Sequence, residues 1–188
     1  MLIYACTKAQ FIADVSGGNI VPILEDAFRR KGLFHDNSRE AGAWENSLTA
    51  MARVLDTREF PDDLQLAVEY QIPQTSKRID LMIAGEDSSG RPHLLLIELK
   101  QWSEAGRTSQ PGIVTAYTGG QVRAVAHPSY QAYSYAKTPE NFNETIQERQ
   151  IGLHPCAYLH NYRPSKRDEI FSSQLSGSDG RRPCFYQK

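Results

Sequence analysis

No stretch of this 188-residue chain is apolar for the ~18 residues that a membrane span needs, so no span is expected. The opening residues, Met1 to Lys8, lack a charged segment followed by an apolar one, so no secretory leader is expected either. Cysteine is scarce. Cys6, Cys156 and Cys184 are odd in number and far apart, which argues against a disulfide framework. Together these absences point to a reduced, cytoplasmic protein. There is no internal repeat and no Gly-x-x-x-x-Gly-Lys-Ser/Thr phosphate loop, which removes a nucleotide-hydrolysing motor from consideration. A strong excess of either charge is missing too, since the net charge is −1. That excludes little, because nucleic-acid binding depends on where charge sits rather than on its sum. What remains is one globular domain with 40% hydrophobic residues.

Apolar spacing divides the chain. Thr7 is placed to cap a first helix carrying Phe11, Ile12 and Val15 and ending near Gly17-Gly18. Residues 20–30 give a second helix, stopped by Gly32, and residues 44–55 a third, with Trp44, Leu48, Met51 and Leu55 on one face. Residues 66–72 form a first strand. Two apolar runs on either side of the polar residues 85–92 form a hairpin of the second and third strands. The third is apolar on both faces at 94–97 and so should be central. Residues 113–117 and 121–125 flank Gly119-Gly120 as a second hairpin, placed to rim a cleft. A helix is expected over 127–137, further helix over 142–149, and a fourth strand over 155–160. The segment 162–188 is basic, expected to be partly flexible, and ends on a strand-like Cys184-Phe185-Tyr186.

The chemistry sits on the first hairpin. Its second strand ends Ile97-Glu98-Leu99-Lys100, so Glu98 and Lys100 project together while Ile97 and Leu99 point the other way. An antiparallel partner brings Asp80 beside them. Charges at the end of so apolar a hairpin are costly unless paired or bound to a metal. Two carboxylates and an ammonium at one point suit a magnesium-dependent phosphodiester hydrolase. Asp80 and Glu98 would hold Mg²⁺ or Mn²⁺, with the Leu99 carbonyl as a third oxygen. Lys100 would meet the scissile phosphate or the attacking water. Burial lowers its basicity and the two acids raise it.

These residues resemble the signature of the PD-(D/E)XK nuclease superfamily, with Asp80 as first acid and Glu98-Leu99-Lys100 as the (D/E)-x-K. Ile79 stands where the name has proline. Gln131-Ala-Tyr-Ser-Tyr135 resembles the Gln-x-x-x-Tyr element of RecB-like members, and its two polar residues share a helix face. The resemblance implies a restriction-endonuclease-like αβββαβ core, an α/β fold with a mixed central sheet flanked by helices. Some RecB-like members carry an iron–sulfur cluster on four cysteines, a set that three cannot supply. A closer resemblance is to the amino-terminal nuclease-like domain of bacterial Schlafen group 3-like DNA/RNA helicases. It is carried by Glu69-Tyr-Gln-Ile-Pro-Gln-Thr-Ser-Lys-Arg-Ile-Asp80, Ile97-Glu-Leu-Lys-Gln-Trp-Ser103, His127-Pro-Ser-Tyr-Gln-Ala-Tyr133 and Leu153-His-Pro-Cys-Ala-Tyr-Leu-His-Asn161. It implies a nuclease-like domain over 1–161, a missing or partner helicase, and a role in DNA processing or phage defence.

The superfamily often adds an acid from the helix before the first strand. Glu45 is one candidate. Glu69, on the strand face it would share with Gln71, is the other. Gln131 and Tyr135 would contact phosphate or orient a metal ligand. His127 either joins the site or caps its helix. His154, Cys156, Tyr158 and His160 alternate along one strand, a pattern better suited to packing than to zinc. The expected activity is metal-dependent hydrolysis of DNA, with RNA as the other substrate. The rivals are a non-cleaving nucleic-acid-binding module serving a helicase, and an interaction scaffold.

Overall fold

The computed structural model describes residues 1–33, 39–73, 75–142, 144–163 and 184–186. Along these the elements run β1 (Leu2–Thr7), α1 (Lys8–Ser16), α2 (Ile20–Arg30), α3 (Arg39–Leu55), β2 (Gln65–Gln71), β3 (Arg78–Glu86) and β4 (Pro92–Lys100). They continue with β5 (Ala105–Arg107), β6 (Ile113–Thr118), β7 (Gln121–Ala126), α4 (Pro128–Phe142), α5 (Glu144–Glu148), β8 (Gly152–Leu159) and β9 (Cys184–Tyr186). Among the described residues no helix is long and apolar enough to cross a membrane.

Local chemistry accounts for the boundaries. Thr7 caps α1 as expected, its Oγ1 accepting from the Gln10 N–H at 3.2 Å, and Gly17 closes that helix. The turn after α2 places Gly32 at φ +65°, a conformation that glycine adopts without strain. Between β6 and β7, Gly119 and Gly120 both have positive φ and make a two-residue turn that matches the twist of the strands.

A mixed central sheet has the order β1-β2-β3-β4-β8-β9, with five long strands and the short β9 at one edge. β4 is central as expected, antiparallel to β3 and parallel to β8. The parallel step needs a crossover, supplied by the small β5-β6-β7 sheet and helices α4 and α5. β1 and β5 were not expected. β1 was hidden because Thr7 and the helix behind it dominate the amino end. β5 has only three residues, two of them Ala105 and Gly106, so its pattern is silent. The tail segment 164–183 lies outside the described residues.

Two apolar layers cover the sheet. On one face Phe11, Leu24, Phe28, Trp44 and Leu48 of the first three helices pack on Leu66, Val68, Leu81, Ile97 and Leu99. On the other, Tyr135 and Ala136 of α4 pack on Tyr70, Ile72, Ile79, Met82, Leu94 and Leu96. β4 alternates between them without interruption, with Leu94 and Leu96 on the α4 side and Leu95, Ile97 and Leu99 on the α3 side. β2 and β3 each change phase once. In β2 the switch follows Val68, at Glu69, whose φ of +56° is rare for a residue with a side chain. In β3 it falls between Ile79 and Leu81, at Asp80. The sheet is therefore dislocated at the positions where the acids stand.

Phe28 is fully buried and stacks on Trp44 at 5.3 Å between centroids, so it supports both the core and the indole that reaches the acids. Phe28→Ala should cost about 3–5 kcal/mol in urea unfolding. Val122→Thr, at a position 68% exposed on β7, should stay within about 0.5 kcal/mol of wild type. Equal effects would contradict this placement of the core.

Candidate functional site

The β3–β4 ladder stops at Leu81↔Ile97. Beyond it the strands part, and the Asp80 carboxylate occupies the gap, Oδ2 accepting the Leu99 N–H at 2.7 Å. A cleft of about 220 Å³ opens at this fork, lined by residues of both faces, among them Glu40, Trp44, Glu69, Arg78, Asp80, Glu98, Leu99 and Lys100.

Glu98 and Lys100 stand on the α4 side of β4. Lys100 Nζ donates to Glu98 Oε1 at 2.6 Å and lies 5.8 Å from the Trp102 ring centroid. Gln131 of α4 also donates to Glu98 Oε1, at 2.6 Å, and to the Tyr135 hydroxyl at 3.0 Å. The helix periodicity that pairs Gln131 with Tyr135 thus aims both at the strand acid. Pro128 opens the helix, and His127 caps it, Nδ1 accepting the Ser129 N–H at 3.2 Å. Of its two expected roles, His127 takes the cap.

On the α3 side stand Glu69, Arg78 and Glu40. Because of its left-handed φ, Glu69 breaks the alternation after Val68 and turns under α3. Its Oε1 accepts from the Trp44 indole at 2.7 Å, and its Oε2 pairs with Arg78 Nε at 2.8 Å. Arg78 reaches on to Glu40 and stacks over Phe28, 5.0 Å from its ring centroid. Of the two candidates for an additional acid, Glu69 is buried in the cleft. Glu45 is exposed on α3 and does not line it. The helix acid that does reach the cleft is Glu40. It fell outside the expected helix because α3 starts five residues before Trp44, at Arg39.

The electrostatics follow from crowding. Burial, and then the Asp80 charge, push Glu98 up to about 8 and Glu69 up to about 7, from an ordinary 4.5. Burial also raises Asp80, against the pull of Lys100, the Leu99 N–H and Arg78. Burial lowers Lys100, but Glu98 and Asp80 outweigh it and the ammonium is held charged. Four carboxyl groups, Glu40, Glu69, Asp80 and Glu98, thus share a partly dry cleft with two cations, Arg78 and Lys100.

Among the described residues, no group of three or more His, Cys, Asp or Glu side chains is arranged to hold a metal ion by itself. One oxygen each of Asp80 and Glu98 is committed to an N–H donor or to Lys100 and Gln131. A cation would draw on their other oxygens, with Leu99 at hand on the cleft wall. The donors are hard oxygens, and carboxyls whose ionisation burial disfavours would ionise readily against a divalent ion. This fits an ion such as Mg²⁺, which keeps several waters and needs few protein ligands. The His154–His160 alternation goes elsewhere. His154 bonds His93 at 2.8 Å, Cys156 and Tyr158 are in the core, and His160 bonds Ser47 at 3.1 Å. Comparison with protein-family models, curated proteins and solved structures gave no match.

Arg78, Trp44 and Glu40 are site residues that the pattern did not single out. Arg78 stood in the Lys-Arg-Ile-Asp run, two residues before the acid, and that spacing was the available signal. The raised carboxyls set a pH dependence. In chelator, unfolded glutamates ionise above 4.5 while folded Glu98 and Glu69 keep their protons to about 8 and about 7. The folded state then binds more protons, so stability falls as pH rises through this window. Glu98→Gln cannot ionise. Its stability relative to wild type should grow from pH 4.5 to about 8 in urea unfolding. Parallel profiles would contradict the shift.

Proposed function

We propose that this chain is a Mg²⁺- or Mn²⁺-dependent nuclease of the PD-(D/E)XK superfamily that hydrolyses phosphodiester bonds in DNA. The observation that carries the reading is the meeting, at one fork, of Asp80, Glu98 and Lys100 with Gln131 and Tyr135 from a separate helix. The succession α3, β2, β3, β4, α4, β8 supports a restriction-endonuclease-like αβββαβ core.

Asp80 and Glu98 would hold the cation, with the Leu99 carbonyl as a further oxygen and Glu69 as an additional acid of the cleft. When bound, the ion would supply positive charge to the anionic phosphate. Lys100, held charged by its two acids, binds a non-bridging phosphate oxygen and offsets the charge that grows in the transition state. Gln131 fixes Glu98. The Tyr135 hydroxyl accepts from Gln131, which leaves its own proton for a substrate oxygen. Arg78 limits repulsion between Glu69 and Asp80.

A second reading, a non-cleaving nucleic-acid-binding module serving a linked helicase, draws on one observation. Glu98 and Glu69 already have protein partners, Lys100 and Gln131 on Glu98 Oε1 and Trp44 and Arg78 on Glu69. The two readings separate on turnover. With Mg²⁺ or Mn²⁺, the protein should cut labelled circular single-stranded or plasmid DNA, RNA being run in parallel, and chelator should stop it. Asp80→Ala and Glu98→Gln should each slow cutting by about 100-fold or more with an unchanged circular-dichroism spectrum. Wild-type rates in Glu98→Gln would remove the assigned site. Binding without cutting of any substrate would favour the module.

A further inference from the structure

We propose that the β6–β7 hairpin is a nucleic-acid-engaging wing of the cleft, in which Tyr117 stacks on an unpaired base and Arg123 follows the phosphate backbone. The inference rests on the nuclease reading and names how that site takes hold of its substrate.

Four observations converge on it. The small sheet is inserted between the two parts of the site. β5 begins five residues after Lys100, and β7 ends five residues before Gln131. At ~3.3–3.6 Å per residue, both roots lie within about 18 Å of the groups around Glu98. The root is firm. Val114 and Ala116 are buried, and the His127 N–H donates to the Gly112 carbonyl at 2.8 Å. The tip is apolar but uncovered. Tyr117 and Val122 are cross-strand partners and are 63% and 68% exposed.

Charge selects the partner. Residues 105–137 contain Arg107, Arg123 and Lys137, and no Asp or Glu, in a chain whose acids outnumber its Lys and Arg by one. The same stretch holds four tyrosines, Tyr117, Tyr130, Tyr133 and Tyr135. Arg123 is exposed on β7, on the face opposite Tyr117, with its guanidinium curling back against the Gly119 turn, so a strand reaches both by passing over the hairpin tip. Exposed aromatic rings among cations with no acid between them suit a single strand, where every base offers a π-face and every residue a phosphate. An acidic protein surface would satisfy the arginines but leave Tyr117 without a flat partner. A single strand uses both.

The test is fluorescence anisotropy with labelled single-stranded DNA and RNA oligonucleotides and a blunt duplex, in chelator, with cleavage assayed separately in Mn²⁺. Tyr117→Ala should weaken single-strand binding by about tenfold and Tyr117→Phe should leave it unchanged, because stacking needs the ring and not the hydroxyl. Arg123→Ala should weaken binding and flatten its salt dependence by about one ion. Both positions are exposed, so the urea midpoint should not move. Wild-type affinity in Tyr117→Ala overturns the wing, and if metal-dependent cutting persists, the nuclease reading stands without it. Tenfold loss in Tyr117→Ala with no cutting by wild type keeps the wing and removes the nuclease. A wild-type protein that binds no probe in chelator overturns the wing, and the nuclease reading with it if nothing is cut in Mn²⁺. A concentration-dependent dimer that Tyr117→Ala dissolves overturns the wing alone, since it would make the tip a contact between copies of this chain.

Discussion

The hydrogen bond from the Leu99 N–H to the Asp80 carboxylate is the contact on which the rest of this structure turns. Where β3 and β4 part, a buried N–H left without a partner would cost about 1–3 kcal/mol. A side-chain oxygen takes the place of the missing backbone carbonyl, so the ladder ends without that loss. The strands then diverge, and a sheet that is otherwise closed opens between its faces. Glu98 and Lys100 enter the opening from the α4 side. Glu69 and Arg78 enter from the α3 side, because the backbone at Glu69 turns through a left-handed conformation. Neither half of the site could meet the other across an unbroken ladder.

The arrangement is held against its own charge. Burying carboxylates is unfavourable; burial raises Glu69, Asp80 and Glu98, and the Asp80 charge raises Glu98 and Glu69 further. Two cations and a set of oriented donors offset part of this. The Trp44 indole and the Gln131 amide each spend a hydrogen-bond donor on a glutamate. Phe28 in turn holds Trp44, so the hydrophobic core reaches the acids through one stacked pair of rings. A site that keeps such crowding in a folded domain gives up stability that ordinary packing would supply, as functional sites commonly do. A hard divalent ion is the partner that would relieve it.

Much of this was legible in the chain because it rests on short-range periodicity. The alternation Ile97-Glu98-Leu99-Lys100 assigned faces correctly, since β4 runs unbroken through both layers. The four-residue spacing of Gln131 and Tyr135 placed them together because α4 is regular there. Glu69 and Glu45 show where such reasoning stops. An alternating pattern cannot reveal a phase switch that depends on one residue's φ, so nothing in the sequence showed that Glu69 turns under α3 next to Val68. A helix begun at its first aromatic residue misses the polar turn before it, so Glu45 was weighed while Glu40 was the acid that reached Arg78. Both cases concern where an element starts or kinks, which long-range pairing decides and local composition does not.

The account's central claim is that the fork gathers Asp80 and Glu98 to hold one hard cation. Titration of the wild-type chain with Mn²⁺, followed by the loss of the free-ion paramagnetic resonance signal, tests this without reference to any substrate. One bound ion per chain, displaced by Mg²⁺ and lost in Asp80→Asn with the fold intact, is the predicted result. Binding that survives Asp80→Asn, or no binding by the wild-type chain, would contradict it.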